Sequence, residues 1–186
     1  MSDMTTYYDA HDLHVAKATR DAQGNISYSG GDLLGDLISL SVTPDVQTFT
    51  HVSEHAGKRS ITKAYGANVT VNHEPIPMEK RGLLYGHAVN EDDELVDSIE
   101  DVPQGVGAAF YQSAMDGSFE GVFLPYTVFA EGTTDANVAL DGPQFTSSTT
   151  TGVAEPNGDG EYRIRKRFTN KTDVLAWMKT KLNITN

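Results

Sequence analysis

The sequence predicts a mainly β domain, and three observations predict it. Short runs alternate strictly between apolar and polar residues, one turn-forming dipeptide separates two apolar segments, and only two stretches carry helix signals. In the first of these runs Ile38, Leu40 and Val42 stand against Ser39, Ser41 and Thr43; in the second Val69 and Val71 stand against Asn68, Thr70 and Asn72. A period of two sends each apolar set to one face, which is the pattern of a half-buried strand. The 38% hydrophobic content together with 17 glycines lies in the ordinary globular range, and 186 residues suffice for one core. A single domain over residues 1–186 is expected.

In chain order, Asp9, His11, Asp12 and His14 open into a strand, where a spacing of three sends the two imidazoles to opposite faces and argues against a metal site. Asp21, Gln23, Gly24 and Asn25 share residue types with a calcium loop but lack its bidentate glutamate, so a hairpin turn explains them better. The strand of Ile38, Leu40 and Val42 leads into His51–Gly66, a polar stretch expected to be a long surface loop that is mobile until it meets a neighbouring subunit. His51 and His55 can share a face there, but no third zinc ligand stands near them.

After the strand of Val69 and Val71, Pro77 with MEKRGLLYG predicts a short helix, proline in its first turn and Gly86 beyond its end. Val106–Met115 and Phe119–Phe129 flank Asp116-Gly117 and predict a hairpin. Its second arm is apolar on both faces, with Phe119, Phe123 and Phe129 on one and Val122, Leu124, Tyr126 and Val128 on the other. It should therefore be covered on both sides, with Pro125 at an edge or a bulge because it has no amide hydrogen. Ala130–Pro143 reads as a second long loop. Tyr162–Phe168 reads as a strand with Tyr162, Ile164 and Phe168 on one face and Arg163, Arg165 and Arg167 on the other. Thr172 can cap a final helix through Leu182, whose stripe is Val174, Leu175, Trp177, Met178 and Leu182.

Charge is distributed unevenly. The whole chain has 14 basic and 26 acidic residues, a formal charge of −12. The 81 residues from Gly82 to Tyr162 contain no lysine or arginine and 15 acids, whereas the last 24 residues carry seven cations against Asp173 alone. Such polarity favours head-to-tail contact between copies of the chain. A basic face for phosphate is missing from the long middle, which argues against a nucleic-acid binder. With no cysteine, thiol nucleophiles and cysteine metal sites are excluded. No G-x-S-x-G, P-loop or dinucleotide fingerprint occurs, so no enzyme activity and no cofactor is expected. The N-terminal residues lack the basic and apolar regions of a secretory signal, and no apolar run is long enough to span a bilayer.

Four segments carry a family pattern: LLGDLISLSVTPDVQTFT (33–50), GLLYGHAVNEDDELV (82–96), GAAFYQSAMDGSFEGVFLPYTVF (107–129) and DGPQFTSSTTTGVA (141–154). Together they resemble the major tail protein, or tail tube protein, family of long-tailed bacteriophages of Gram-positive hosts. The resemblance implies a β-sandwich or barrel-like tail-tube fold with a flanking short helix and a C-terminal helix, here without an appended immunoglobulin-like domain. It implies hexameric rings stacked into a tube that conducts genomic DNA into the host without binding it specifically. The subunit would be assembled in the host cytoplasm and reside in the virion tail, with tape-measure and tail-terminator proteins as partners and no membrane. On this reading Asp92, Asp93, Asp97 and Asp101 are candidates to line the channel, and Arg163, Arg165 and Arg167 to make subunit contacts. A bacterial secretion-tube subunit follows the same logic. A carbohydrate- or receptor-binding β-sandwich would be expected to display aromatic loops, but the two long polar stretches hold only Tyr65.

Overall fold

The computed structural model describes residues 6–53, 57–92, 94–134 and 147–185. In chain order it contains β1 (Tyr7–Arg20), β2 (Ile26–Leu33), β3 (Leu37–Ser53), β4 (Gly57–His73), α1 (Met78–Tyr85), β5 (Ala88–Val89), β6 (Leu95–Val96), β7 (Gly105–Ala114), β8 (Phe119–Thr134), β9 (Ser148–Glu155), β10 (Ile164–Phe168) and α2 (Lys171–Lys181). The mainly β expectation holds. One antiparallel sheet runs β2-β1-β7-β8-β9-β4-β3, with β10 added to β8, and β5 and β6 form a separate two-stranded ladder. The sheet curls until β3 lies near β1, which gives it a barrel-like form.

The tight turns follow from their side chains. At the β1–β2 turn the Asp21 carboxylate accepts the backbone N–H groups of Gln23 (2.9 Å) and Asn25 (2.8 Å), while Gly24 takes φ +87°. The hairpin reading of this segment was therefore right. At the β7–β8 turn only Gly117 takes positive φ, and the Asp116 carboxylate accepts from the Ser118 amide and hydroxyl.

Two apolar clusters lie on opposite faces of β1, β7 and β8. The inner one holds Leu13, Val15, Val69, Val71, Val106, Phe110, Val122, Leu124 and Phe129, closed at one side by Ile76, Leu84 and Tyr85. The outer one holds Ala16, Ala109, Tyr111 and Phe123 beneath Val174 and Met178 of α2 and Leu182 at its C-terminal cap. The helix sits so low that a Cβ on Gly121 would lie 2.7 Å from the Trp177 ring. Inside the barrel a polar chain is fully paired. His73 Nδ1 donates to the Glu74 carbonyl (2.7 Å), so Nε2 accepts from the Thr150 hydroxyl (2.8 Å), which in turn accepts from Tyr85.

Bulges correct the expected facing of residues at or beyond them, Phe129, Val128 and Ile38 among them. Val106 lies opposite Thr127 and Ala108 opposite Leu124, so β8 spends one extra residue there, at Pro125-Tyr126. Pro125 thus occupies a bulge, as expected, but the extra residue turns Phe129 into the inner cluster with Val122 and Leu124, away from Phe123. In β3, Leu37 pairs with His73 and Ser39 with Asn72; the unmatched Ile38 turns outward and is 58% exposed, while Leu40 and Val42 pack on the core.

Other expectations are revised as well. His51–Ser53 and residues 57–66 belong to β3 and β4, and Ala130–Thr134 extends β8; the intervening 54–56 and the remainder of the second stretch, 135–143, lie outside the described residues. Tyr162 precedes β10 and packs on the inner cluster, whereas Ile164 and Phe168 pack on the outer one. Helix α1 forms as predicted, with Pro77 at its N-cap and Gly86 at φ +79° after its end. Helix α2 begins earlier than predicted: Asn170, and not Thr172, is the cap, its side chain accepting the Asp173 N–H at 2.8 Å. Asn170→Ala should cost about 1 kcal/mol and Thr172→Ala close to nothing in equilibrium urea unfolding, since only the first removes a partner from a helix-terminal N–H.

Candidate assembly surface

The strands β3 and β4 run on beyond the sheet. Among the described residues β9 pairs β4 only from Ala67 to His73, so from Val46 to Ser53 and from Gly57 to Ala64 the two strands pair only with each other there. The change occurs at a bulge, where Asp45 pairs with Gly66 and Val46 with Ala64. A Cβ on Gly66 would lie 2.5 Å from the Ala154 carbonyl oxygen, so glycine is what lets β4 leave β9 at this point. Eight residues at roughly 3.3 Å each make an arm about 26 Å long.

Register sorts the arm into two faces. On one, Thr48 bonds Thr62 (2.9 Å) and Thr50 bonds Ser60 (3.1 Å), a hydroxyl ladder between Val46 and Val52. On the other, Phe49 faces Ile61 and meets Tyr65 edge-on at 6.4 Å between ring centroids, with Gln47 opposite Lys63 and His51 opposite Arg59. Phe49, Ile61 and Tyr65 are about half exposed or more, at 51%, 61% and 48%. The arm therefore presents an apolar centre ringed by Lys63, Arg59 and His51. An isolated two-stranded ribbon is at best marginally stable in water, and apolar groups displayed on one call for a partner.

The acidic residues gather in the excursion between α1 and β7. Asn90 Oδ1 accepts the N–H groups of Asp92 and Glu94, each at 2.9 Å, which folds the β5–β6 turn and leaves Glu91, Asp92 and Glu94 exposed. Asp97 is exposed, Asp93 lies outside the described residues, and Asp101 is only 16% exposed in its side chain because it faces His87. The arginine stripe is divided in its engagements. Arg167 pairs with Asp116 and donates to Ser118 (3.0 Å) within the same chain. Arg163 and Arg165 line a groove with Leu40, Val42, Gln112 and Glu120 above Phe110 and Val122 of the inner cluster, and neither makes an ion pair among the described residues.

His87 is the centre of a group no sequence spacing suggested. Its Nδ1 lies 2.7 Å from Asp101 Oδ2 and 3.5 Å from Asp97 Oδ1, and its Nε2 lies 3.1 Å from Glu131 Oε2. The ring also packs at 5.5 Å against Tyr85. Burial, the largest single influence, pushes the imidazole down, but hydrogen bonds to Asp101 and Glu131 and the charges of Asp97 and Glu131 outweigh it and hold it above its ordinary range. The same contact holds Asp101 below the usual carboxylate range. A signal was present in the sequence: His87 is the only histidine in the 81-residue stretch that lacks lysine and arginine. His11 packs against Tyr111, His14 bonds the Asp12 carbonyl, and His55 lies outside the described residues, so none of the histidine pairs read from sequence forms a ligand set among those described.

No family model matches the sequence, and no curated protein matches it. Among solved structures, the fold is similar to a chain of the sheath–tube complex of an extracellular contractile injection system (PVC) in its extended state, with TM-score 0.41 and 10% identity over 84% of this chain and 89% of that one. It is also similar to a chain of the six-fold symmetrised baseplate of the anti-feeding prophage, with TM-score 0.39 and 10% identity over 89% of this chain and 97% of that one. No helix among the described residues is long and apolar enough to cross a membrane.

Proposed function

We propose that the chain is a structural subunit of a bacteriophage tail tube, assembling into stacked hexameric rings that conduct DNA. The observation that carries this reading is the β3–β4 arm, whose apolar and cationic face has no intramolecular cover among the described residues. The 87–101 excursion of the same chain offers exposed carboxylates of opposite sign, so one copy can meet the next through two different patches. Contacts of that heterologous kind close into rings or propagate into tubes. Exposed Asp92 and Asp97 suit a wall that repels phosphate within about 8 Å, the screening length at physiological salt. Asp101, engaged by His87, suits it less. The resemblance supplies the remaining detail: hexamers, tape-measure and terminator partners, and residence in the virion. As a sugar-binding platform the arm is poorly shaped, because Phe49 and Tyr65 meet at 69° and present no common plane.

Sedimentation and negative-stain microscopy of concentrated protein, alone and with other tail components, test the proposal. Rings or tubes are expected; monomers under every condition would remove its basis. Arg165 gives a sharper test, as the exposed strand arginine without an intramolecular ion pair among the described residues. Arg165→Glu should weaken assembly and reduce its salt sensitivity, and a compensating reversal on the partner surface should restore both. Arg167→Glu should act mainly within the subunit, at about 0 to 1 kcal/mol, because its partner is Asp116 of the same chain.

A further inference from the structure

We propose that His87, Glu131 and Asp97 form a binding site for zinc or a similar borderline divalent cation, with Asp101 positioning the imidazole. Their ligand atoms lie within 4.8 Å of one another. The side chain of His87 is only 10% exposed, and both its nitrogens are aimed at carboxylates. Asp101 Oδ2, 2.7 Å from Nδ1, accepts from the Nδ1 N–H, so the proton that a cation would displace is the one on Nε2, shared with Glu131. A carboxylate holding the far nitrogen is the usual support of a metal-ligating histidine, because it locks the ring and raises its basicity.

The separation of Nε2 and Glu131 Oε2, 3.1 Å, is close to the spacing of about 3.3 Å between two ligands each roughly 2.0 Å from a tetrahedral zinc ion. A cation taking the place of the Nε2 proton would sit beside the N–O line, so the imidazole and carboxylate need to turn toward it but not to separate. Asp97 Oδ1 stands 3.5 Å from Nδ1, across the ring from Glu131, so its side chain, 70% exposed, must swing round to the Nε2 side to become the third ligand, and water completes the shell. One nitrogen and two or three carboxylate oxygens favour zinc over calcium, which takes oxygen ligands throughout. The site would fasten the 87–101 excursion, held otherwise by the short β5–β6 ladder, to the end of β8.

Titration calorimetry of the full chain with zinc chloride, paired with the visible spectrum of cobalt(II), tests the site independently of assembly. The expected result is one saturable zinc per chain, a tetrahedral cobalt spectrum, and slower amide exchange over residues 88–101 when zinc is bound. His87→Gln and Glu131→Gln should abolish saturable binding. Asp101→Asn should weaken it about 10- to 100-fold, as expected for a group that orients a ligand. Asp92→Asn, an exposed acid of the same excursion outside the group, should leave it unchanged. Each variant is checked by far-ultraviolet circular dichroism, and a misfolded Glu131→Gln is replaced by Asp97→Asn, which alters an exposed side chain. Absence of saturable binding in the unmodified chain overturns the site. So does an Asp92→Asn effect as large as that of the ligand variants, which would mean diffuse attraction by the acidic cluster.

Discussion

Phe49→Thr combined with Ile61→Thr is expected to abolish assembly while leaving the subunit folded. Threonine retains the strand preference, so the arm keeps its register, but the apolar centre of its cationic face is lost. Fully burying a large aliphatic or aromatic side chain is worth about 1.5 to 3 kcal/mol, and each 1.4 kcal/mol is about tenfold in an equilibrium constant. With about half of each side chain left to bury, the two together should lower the association constant by about 10 to 10² per arm contact. Subunit stability should change by no more than about 0.5 kcal/mol, because both side chains are already half exposed. Sedimentation velocity at matched concentrations reads the first effect and urea unfolding the second. Assembly indistinguishable from that of the unmodified chain would show that the arm's apolar centre is not a contact.

Phe129→Ala is expected to destabilise the subunit by about 3 to 5 kcal/mol, the range for emptying a buried aromatic site. Phe129 is 1% exposed and lies within the inner cluster. Ile38→Ala, by contrast, should stay within about 0.5 kcal/mol, because the β3 bulge has turned Ile38 to solvent. Urea unfolding of Ile38→Ala separates the observed facing from the one alternation alone implies, since Phe129 is buried on either facing. On alternation, Ile38 shares the core with Leu40 and Val42, and Phe129 shares a face with Phe119 and Phe123.

That pair shows where the sequence was legible. Val69 and Val71 were readable because β4 is regular there and one of its faces meets the core. The turns at Gly24 and Gly117 and both helices were readable from local chemistry that needs no distant partner. Ile38 and Phe129 were misassigned because a bulge inverts the parity of everything beyond it and leaves no separate mark in composition. The arm was read as a loop for a related reason: a ribbon exposed on both faces has no inward side, so its threonines, lysines and serines carry no period-two apolar signal. Of the group around His87 only the isolated histidine was legible, because Glu131 stands 44 residues away and only the sheet brings it near.

Strand order also governs the timetable of folding. β1 is synthesised early, yet one of its two neighbours is β7, Gly105–Ala114, on the far side of five strands and a helix. At a translation rate of about 5 to 20 residues per second, the β1–β2 hairpin waits on the order of 5 to 20 s for that neighbour. During the wait Leu13, Val15 and Ala16 lack cover on both faces of the hairpin, and the edge of β1 that β7 will occupy offers unpaired backbone groups to any passing strand. The β7–β8 hairpin, closed locally at Asp116-Gly117, is the natural nucleus onto which the earlier hairpin docks. Nascent chains are thus most vulnerable to mispairing just before residue 114 leaves the ribosome, and chaperone dependence should fall once β7 and β8 are available.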